Sequence, residues 1–386
     1  MLATPAIIQT MKVDILNGLT AKQFLAEYWQ KKPLLVRGAF PGFRDFVSGE
    51  MLQEMAQQED VQARLATESN GVWDLQHGPL KPSDFRRLKR AHWSLLVQGI
   101  DHLLPAGRAL LSRFDFIPHA RLDDLMVSYA PQGGGVGPHF DSYDVFLLQG
   151  QGHKLWQISA QKDTELIPDA PLRILRNFKS EQEWILGPGD LLYLPPRYAH
   201  YGVALNSCLT YSIGFRASTH QELATQFPVY LQDRIDVPGL YADPDLKPQQ
   251  HPAQISADMI AKVAAVIEQV KVGRDDIAQF LGSYLSEPKP HIFFDAPQRP
   301  LSRAKFEAAA VKRGVHLALQ SQMLFAGAQV FLNGEQLRMP SAARSALIAL
   351  ADRRCLAAPV VLAQVAWDLL YDWYQAGYLE LDSVAK

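Results

Sequence analysis

The sequence predicts an α+β protein in which a jelly-roll β-barrel is flanked by helical segments and followed by a winged-helix-like module. Three observations predict this fold class. Short β-type runs separated by glycine and proline fill residues 122–216, helical patterns lie on both sides of them, and residues 300–386 combine helices with a hairpin. At 386 residues the chain exceeds the size at which single hydrophobic cores stop growing, so two or three domains are expected.

The composition is that of a globular protein with a sizeable core, because 48% of the residues are hydrophobic and 20% are charged. The formal net charge of −2 gives no electrostatic footprint for long nucleic-acid contacts. Cys208 and Cys355 form no CxxC pattern, so we expect two reduced core thiols. Met1–Thr10 lacks the features of a secretory signal, and no apolar run is long enough to span a membrane. We therefore expect a cytoplasmic protein with no membrane partner.

Helical patterns dominate the region before the barrel. The first follows Thr20, a candidate N-cap with Gln23 three positions later. The apolar run from Pro33 to Gly38 opens with proline and ends in glycine, which is typical of a strand. The predicted helical stretches are 21–30, 48–58 and 82–113, the last broken at 105–107.

Six short runs predict the strands of the barrel. Each is rich in aliphatic, β-branched or aromatic residues, and glycine, proline or polar turns separate them. Many short strands with frequent turns are typical of a closed or sandwiched antiparallel structure such as a double-sheet jelly roll. The six runs are 125–129, 144–148, 154–158, 184–186, 190–194 and 209–215.

Helical patterns return after Arg216, and a loop with four prolines, 287–300, is the best candidate for a domain boundary. Beyond the loop, Asn333-Gly334 marks a tight hairpin between helices, an arrangement that resembles a small winged-helix module. Basic residues of this module are offset by acidic ones, so we do not expect direct nucleic-acid binding. The predicted helices are 219–234, 256–271, 274–285, 303–313, 341–353 and 358–376, with a closing strand at 377–381.

A candidate metal site lies early in the barrel. A glycine-rich loop leads into His139-Phe140-Asp141, and residues i and i+2 of a strand point to the same face, so both side chains can bind one ion. His200 follows a later strand and a Pro-Pro turn, and it is the candidate third ligand. Two histidines and one carboxylate form the facial ligand set of non-haem iron(II) oxygenases, which leaves positions open for a co-substrate and dioxygen.

A His-x-Asp motif alone is weak evidence, because the same histidine can simply cap a glycine-rich turn. The conjunction of a barrel-like strand pattern, a glycine loop before His139 and a Gly-x-Gly-Asp turn and strand before His200 favours the metal site. Zinc would more often take a tetrahedral set of ligands.

Several motifs resemble those of the bacterial ribosomal oxygenases of the Jumonji-C group. They are the run 123–129, the Gly-Val-Gly-Pro-His-x-Asp loop, the strand 143–146, the segment 152–156 and the Gly-Asp-Leu-Leu-Tyr-Leu-Pro-Pro run before His200. The resemblance covers nearly the whole chain, and the family's iron ligands match His139, Asp141 and His200. It implies a Jumonji-C double-stranded β-helix domain over 1–217 with its core at 92–217, a helical dimerisation segment over 218–290 and a winged-helix-like domain over 300–386.

The resemblance also implies the chemistry: iron(II) as the metal, 2-oxoglutarate and dioxygen as co-substrates, and hydroxylation of an arginine β-carbon in ribosomal protein L16 by a homodimer. The distal carboxylate of 2-oxoglutarate needs a cation in a closed site, and Lys154 is the candidate, assisted by Ser128. A strand lysine can instead point to solvent. The family often has arginine at this position, so Lys154 keeps the charge but gives up bidentate geometry. No catalytic residue is assigned beyond the metal ligands.

Several alternatives remain open. Other Jumonji-C enzymes hydroxylate histidine or demethylate lysine, and a non-enzymatic cupin-like protein would keep the barrel without a working ligand set. An arginine substrate calls for carboxylates or aromatic faces near the metal. Tyr143 and Asp144 lie just beyond Asp141 and could serve this purpose, or both could be structural.

Overall fold

The computed structural model describes residues 15–382, so the expectation for Met1–Thr10 lies outside the described residues. The first part of this range forms the double-stranded β-helix that the strand pattern predicts. Its strands are Leu34–Val36 (β1), Ala63–Ser69 (β2), Val72–His77 (β3), Trp93–Val97 (β4), Leu122–Ala130 (β5), His139–Phe140 (β6), Asp144–Gln149 (β7), Lys154–Ser159 (β8), Gln182–Leu186 (β9), Leu191–Leu194 (β10), Ala199–Ala204 (β11) and Cys208–Phe215 (β12).

The strands form two antiparallel sheets. The larger sheet has eight strands in the order β1-β10-β7-β12-β5-β4-β2-β3, and the smaller sheet has four in the order β6-β11-β8-β9. A hydrophobic cluster of Val145, Leu147, Trp156, Ile158 and Leu192 includes residues of both sheets. The sheets therefore enclose one interior, and side chains that alternate along each strand point into it.

Short helices pack on the outer face of the larger sheet, at Ala21–Glu27 (α1), Gly49–Met55 (α2), Pro82–Arg86 (α3), Ile100–Leu103 (α4) and Pro105–Leu111 (α5), with 3₁₀ turns at Ser112–Phe114 and His119–Arg121. The predicted cap of α1 is confirmed. The Gln23 backbone N–H donates to the Thr20 hydroxyl at 3.2 Å, and the Gln23 side chain accepts from the Thr20 N–H at 2.9 Å. Phe24 is fully buried against the sheet, so the helix is held by its apolar face.

The prediction of a helical stretch over 82–113 is wrong in its middle. Trp93–Val97 is strand β4, which pairs with both β2 and β5, and its five residues are all buried. A short strand that is buried on both faces is apolar throughout. Its sequence lacks the alternation of apolar and polar residues that would distinguish it from a buried helix. The hairpin of β2 and β3 was also not predicted, although Asn70 and Gly71 at its turn have the positive φ values of 53° and 79° that favour Asn-Gly.

The second part of the chain is mainly helical and has its own core around Phe306, Leu350 and Trp367. Asn333-Gly334 joins two paired strands, as predicted. Cys208 is buried, Cys355 is half-buried and neither is in a disulfide. The elements are helices His220–Gln232 (α6), Ala257–Ile267 (α7), Arg274–Ser286 (α8), Arg303–Arg313 (α9), Arg344–Arg353 (α10) and Gln364–Gln375 (α11), the 3₁₀ turn Ser341–Ala343, and strands Val315–Leu317 (β13), Met323–Ala326 (β14), Gln329–Leu332 (β15), Glu335–Arg338 (β16), Cys355–Leu356 (β17) and Leu379–Leu381 (β18).

Two contacts tie this second part together. Helix α8 packs so closely on the sheet of β14, β15 and β16 that a Cβ atom at Gly282 would lie 2.3 Å from the Phe331 ring. His316 on β13 lies between two carboxylates of the last strand, with Nδ1 2.7 Å from Asp382 and Nε2 3.3 Å from Glu380. No helix in residues 15–382 is both long and apolar enough to cross a membrane.

Candidate active site

Three potential metal ligands converge between the two sheets. Strands β6 and β11 are antiparallel neighbours in which His139 pairs directly with His200, and their rings lie 4.2 Å apart between centroids. Asp141 follows β6 by one residue and places a carboxylate oxygen 3.7 Å from His200 Nε2. The potential ligand atoms of all three residues lie within 4.8 Å of one another. The structure therefore brings together the residues that the sequence singles out.

Both histidines are held in the tautomer that a metal ligand requires. His139 Nδ1 lies 2.9 Å from the Gly137 carbonyl, and His200 Nδ1 lies 2.9 Å from the Tyr198 carbonyl. A carbonyl oxygen only accepts, so each Nδ1 carries the proton and donates it. Each Nε2 is left with a free lone pair, and the hydrogen bond at Nδ1 fixes the orientation of the ring.

Burial keeps His200 neutral. Desolvation is the main cause that lowers the pKa of His200 to about 4, and the neighbouring His139 lowers it further. A histidine must be neutral to bind a metal, so this side chain is ready for coordination without losing a proton. Two imidazoles and one carboxylate on one side of an ion suit a six-coordinate metal with open positions, as in the non-haem iron(II) oxygenases. The donor set thus fits iron(II).

The ligands face a cavity of about 410 Å³, which also holds Lys154. Lys154 lies on β8, is only 6% exposed and points inward, so the solvent-facing interpretation of this lysine is wrong. Its Nζ atom lies 3.5 Å from the Thr210 hydroxyl and 4.9 Å from the centre of the Trp156 ring. No carboxylate of residues 15–382 pairs with it, and burial lowers its pKa. A buried unpaired cation calls for an anionic ligand.

Ser128 lines the same cavity on β5, directly across from Thr210 on β12. The two hydroxyls lie next to each other in the sheet, and Thr210 also donates to the Gln149 side chain at 3.3 Å. Lys154, Thr210 and Ser128 therefore form a polar wall with one positive charge. This arrangement suits a carboxylate, whose oxygens accept hydrogen bonds from an ammonium group and from hydroxyls.

Comparisons with known proteins decide the family. Residues 109–223 match the JmjC domain, and residues 265–380 match the ROXA-like winged helix. The chain is 34% identical to the ribosomal protein uL16 3-hydroxylase of Escherichia coli over 87% of its length and 89% of that protein. The chain belongs to the ribosomal oxygenases of the JmjC type.

Two further relatives agree with this assignment. A probable ribosomal oxygenase of Haemophilus influenzae is 42% identical over 59% of this oxygenase and 55% of that chain. A solved structure of YcfD, a ribosomal oxygenase from Escherichia coli in complex with cobalt and 2-oxoglutarate, superimposes with a TM-score of 0.80 at 30% identity, covering 95% of this chain and 99% of that one. The predicted fold class, a JmjC double-stranded β-helix with a winged-helix domain, is confirmed.

Tyr143 and Asp144, for which the sequence favours neither a substrate-binding nor a structural role, have different surroundings. Asp144 is fully buried away from the cavity of this oxygenase and accepts hydrogen bonds from Tyr193 at 2.6 Å and Gln30 at 2.9 Å, so its role is structural. Tyr143 lines the cavity and is 38% exposed, which places it at the mouth. Burial raises the pKa of Tyr143 above its ordinary range and Asp141 adds to the effect, so its hydroxyl stays protonated.

Other cavity residues gave no local signal in the sequence. Thr210 and Arg64 both line the cavity, but each comes from a strand with ordinary alternation. Only the pairing of distant strands brings them to the wall of the same cavity as the metal ligands. Their roles follow from position in the sheet and could not be read from spacing along the chain.

Proposed function

We propose that this ribosomal oxygenase is an iron(II)- and 2-oxoglutarate-dependent hydroxylase that modifies the β-carbon of an arginine in ribosomal protein uL16. One observation carries the proposal: the three facial ligands and the unpaired Lys154 ammonium face a single cavity. The relative named for uL16 3-hydroxylation matches most of the chain, which supports the substrate.

In this proposal His139, Asp141 and His200 hold iron(II). When bound, the metal and 2-oxoglutarate together activate dioxygen, so that one oxygen atom enters an unactivated C–H bond and 2-oxoglutarate becomes succinate and carbon dioxide. The chain supplies the rest. Lys154 pairs with the distal carboxylate of 2-oxoglutarate, and Ser128 donates a hydrogen bond to one of its oxygens. Thr210 accepts from Lys154 and donates to Gln149, so it orients the ammonium group.

The walls of the cavity limit access of water to the reaction. Val145, Leu147 and Trp156 are each at most 5% exposed and line the cavity beside the ligands. An apolar lining strengthens the pairing of Lys154 with a carboxylate, because charges attract more strongly where water is excluded. The open side near Tyr143 is the route by which a protein side chain would enter.

The substrate is tested with peptides that cover uL16, incubated with iron(II), 2-oxoglutarate and oxygen and then sequenced by mass spectrometry. The proposal predicts a gain of one oxygen atom at an arginine. A gain at histidine, or loss of a methyl group from a methylated lysine, would replace the proposed reaction with one of the alternatives. Succinate formation without oxidation of any peptide would support 2-oxoglutarate-dependent oxygenase activity but refute uL16 as the substrate.

We also propose that the protein is a homodimer assembled through the helical segment. Helix α7 has no buried residue, and five of its large apolar side chains are 40% to 65% exposed: Met259, Ile260, Val263, Val266 and Ile267. An apolar helix face of this kind is typical of a surface that another chain covers. Light scattering should give twice the mass of one chain for the wild type and for Val361→Glu, an exposed control, but the mass of one chain for Ile260→Glu. A wild type with the mass of one chain would refute the dimer.

The proposed division of the chain is a JmjC domain over 1–217 with its core at 92–217, a dimerisation segment over 218–290 and a winged-helix-like domain over 300–386. The close packing of Gly282 on Phe331 couples the last two. We infer a cytoplasmic location, because the proposed substrate is a ribosomal protein.

A further inference from the structure

Arg64 occupies a defined place in the cavity of this oxygenase. On β2, Arg64 pairs with Leu96 of the neighbouring strand β4. The pairing continues from Leu96 to Ser128 on β5, and from Ser128 to Thr210 on β12. All four side chains line the cavity. They form one row across the larger sheet, with the proposed co-substrate site at the Thr210 end and Arg64 at the other end.

Within the part of the chain that the structure describes, the Arg64 guanidinium has almost no hydrogen-bond partner. Its Nε atom is buried and has no hydrogen-bond partner, and its Nη2 atom contacts only the Met126 sulfur, a weak acceptor, at 3.7 Å. Within residues 15–382 no carboxylate forms an ion pair with it. Guanidinium groups provide five donors, and leaving donors buried and unsatisfied costs free energy. Arg64 is half-exposed, so an oxygen atom from outside the described residues, from water in the free protein or from a ligand when one is bound, can complete its hydrogen bonds.

The co-substrate is not the source of that oxygen. In the proposed function one carboxylate of 2-oxoglutarate pairs with Lys154 and the other binds the metal, so neither remains for Arg64. The backbone of β2 is also three strand spacings, or about 14 Å, from that of β12, where Thr210 contacts Lys154. The positive charge of Arg64 instead acts on Tyr143, which lies at the mouth of the same cavity, and it partly offsets the raised pKa of that tyrosine.

The charge of the cavity narrows the choice of ligand. Asp141 is the single carboxylate among the described lining residues, and it is a proposed metal ligand, whereas Arg64 and Arg173 add two positive charges near the mouth. Arg173 already lies over the Phe140 ring at 5.4 Å. A second guanidinium would be repelled by Arg64, so the substrate arginine is not its partner. A peptide backbone that enters a closed cavity loses the water bound to its carbonyl oxygens and needs new donors.

We propose that Arg64 binds the protein substrate by donating hydrogen bonds to a backbone carbonyl oxygen beside the modified residue. The inference rests on the proposed function, because it assigns the cavity mouth to a peptide. Arg64 then fixes the position of the peptide relative to the metal, while Lys154 fixes 2-oxoglutarate from the other end of the row. Such a contact contributes to peptide binding and leaves co-substrate binding unchanged.

The test compares Arg64→Met and Arg64→Lys with the wild-type holoenzyme, using a uL16 peptide that contains the modified arginine. A hydrogen bond that involves a charged group predicts a fall in kcat/KM for the peptide of about 10- to 150-fold in Arg64→Met, mainly through KM. Arg64→Lys keeps the positive charge, so its kcat/KM for the peptide should lie between those of the wild type and Arg64→Met. KM for 2-oxoglutarate should stay at the wild-type value. The thermal midpoint of the unliganded Arg64→Met protein should be equal to or higher than that of the wild type, because an unsatisfied buried donor is removed. Arg86→Met removes an exposed arginine of the same domain and is the matched control.

The outcomes are distinct. An active wild type with an unchanged peptide KM in Arg64→Met refutes the role of Arg64 and leaves the proposed function intact. A wild type that consumes 2-oxoglutarate but oxidises no uL16 peptide refutes both. A second peptide, with amides in place of its acidic side chains, tests the acceptor. If the effect of Arg64→Met disappears with this peptide, the acceptor is a side-chain carboxylate and the assignment to the backbone is wrong; an equal effect supports it.

Discussion

Replacement of Lys154 by methionine should weaken the binding of 2-oxoglutarate without destabilising the unliganded protein. The ammonium group is buried, and no carboxylate among residues 15–382 forms an ion pair with it; in the proposed function its partner is 2-oxoglutarate. Its removal would leave the distal carboxylate unpaired in the closed cavity, and losing one partner of a buried charged pair costs about 2–5 kcal/mol. At about 1.4 kcal/mol per tenfold change, KM for 2-oxoglutarate should rise roughly 30-fold to several thousand-fold. The unliganded protein should become more stable, because an unpaired buried charge is removed.

The assay follows succinate formation at increasing 2-oxoglutarate, together with thermal unfolding of the unliganded protein. Lys162→Met is the control, since it removes an exposed lysine from the loop after β8. The predicted pattern for Lys154→Met is a large rise in KM with an equal or higher thermal midpoint. A KM within twofold of the wild type would refute the role given to this residue. A lower thermal midpoint would show that the ammonium group stabilises the unliganded fold.

Three further predictions concern packing and pH. Gly202→Ala places a methyl group 2.7 Å from the Trp156 ring and 2.9 Å from the Lys154 side chain, so KM for 2-oxoglutarate should rise roughly tenfold in an assay of succinate formation, and an unchanged KM would contradict this. The hydrogen bonds that His316 donates to Glu380 and Asp382 raise its pKa. The stabilising effect of His316 is therefore complete below about pH 6.5 and is lost as the pH rises through the raised pKa. Thermal midpoints of wild type and His316→Gln should differ more at pH 6 than at pH 8.5, and an equal difference would contradict this. Gly282→Ala crowds Phe331 and should lower the free energy of unfolding by about 1–3 kcal/mol in calorimetry, whereas an unchanged value would contradict the close packing of α8.

The sequence predicts those parts of the fold that carry local signals. Thr20 with Gln23 marks the start of α1, and Asn333-Gly334 marks the hairpin of β15 and β16, because caps and tight turns depend on a few adjacent residues. The strand Trp93–Val97 is different. Its five buried residues receive their β structure from pairing with two neighbouring strands, and an apolar run of this length fits a helix equally well.

The same distinction applies to the active site. His139 and Asp141 could be identified because they are only two residues apart in the sequence, at the end of one short strand. His200 could be identified because a distinctive turn precedes it. Thr210 on β12 and Arg64 on β2 are far apart in sequence, yet they lie in one row of the sheet. Such a row depends on the register of four strands, which no short motif encodes.

The central claim is that His139, Asp141 and His200 bind the iron(II) that drives hydroxylation. The most direct measurement is anaerobic iron(II) binding followed by oxygen exposure in the presence of a uL16 peptide, comparing the wild type, His139→Ala and His153→Ala. His153 is an exposed histidine of the same barrel and serves as the matched control. We predict one iron per chain and one added oxygen atom on arginine for the wild type and His153→Ala, with both lost in His139→Ala. Full iron binding and hydroxylation by His139→Ala would contradict the account.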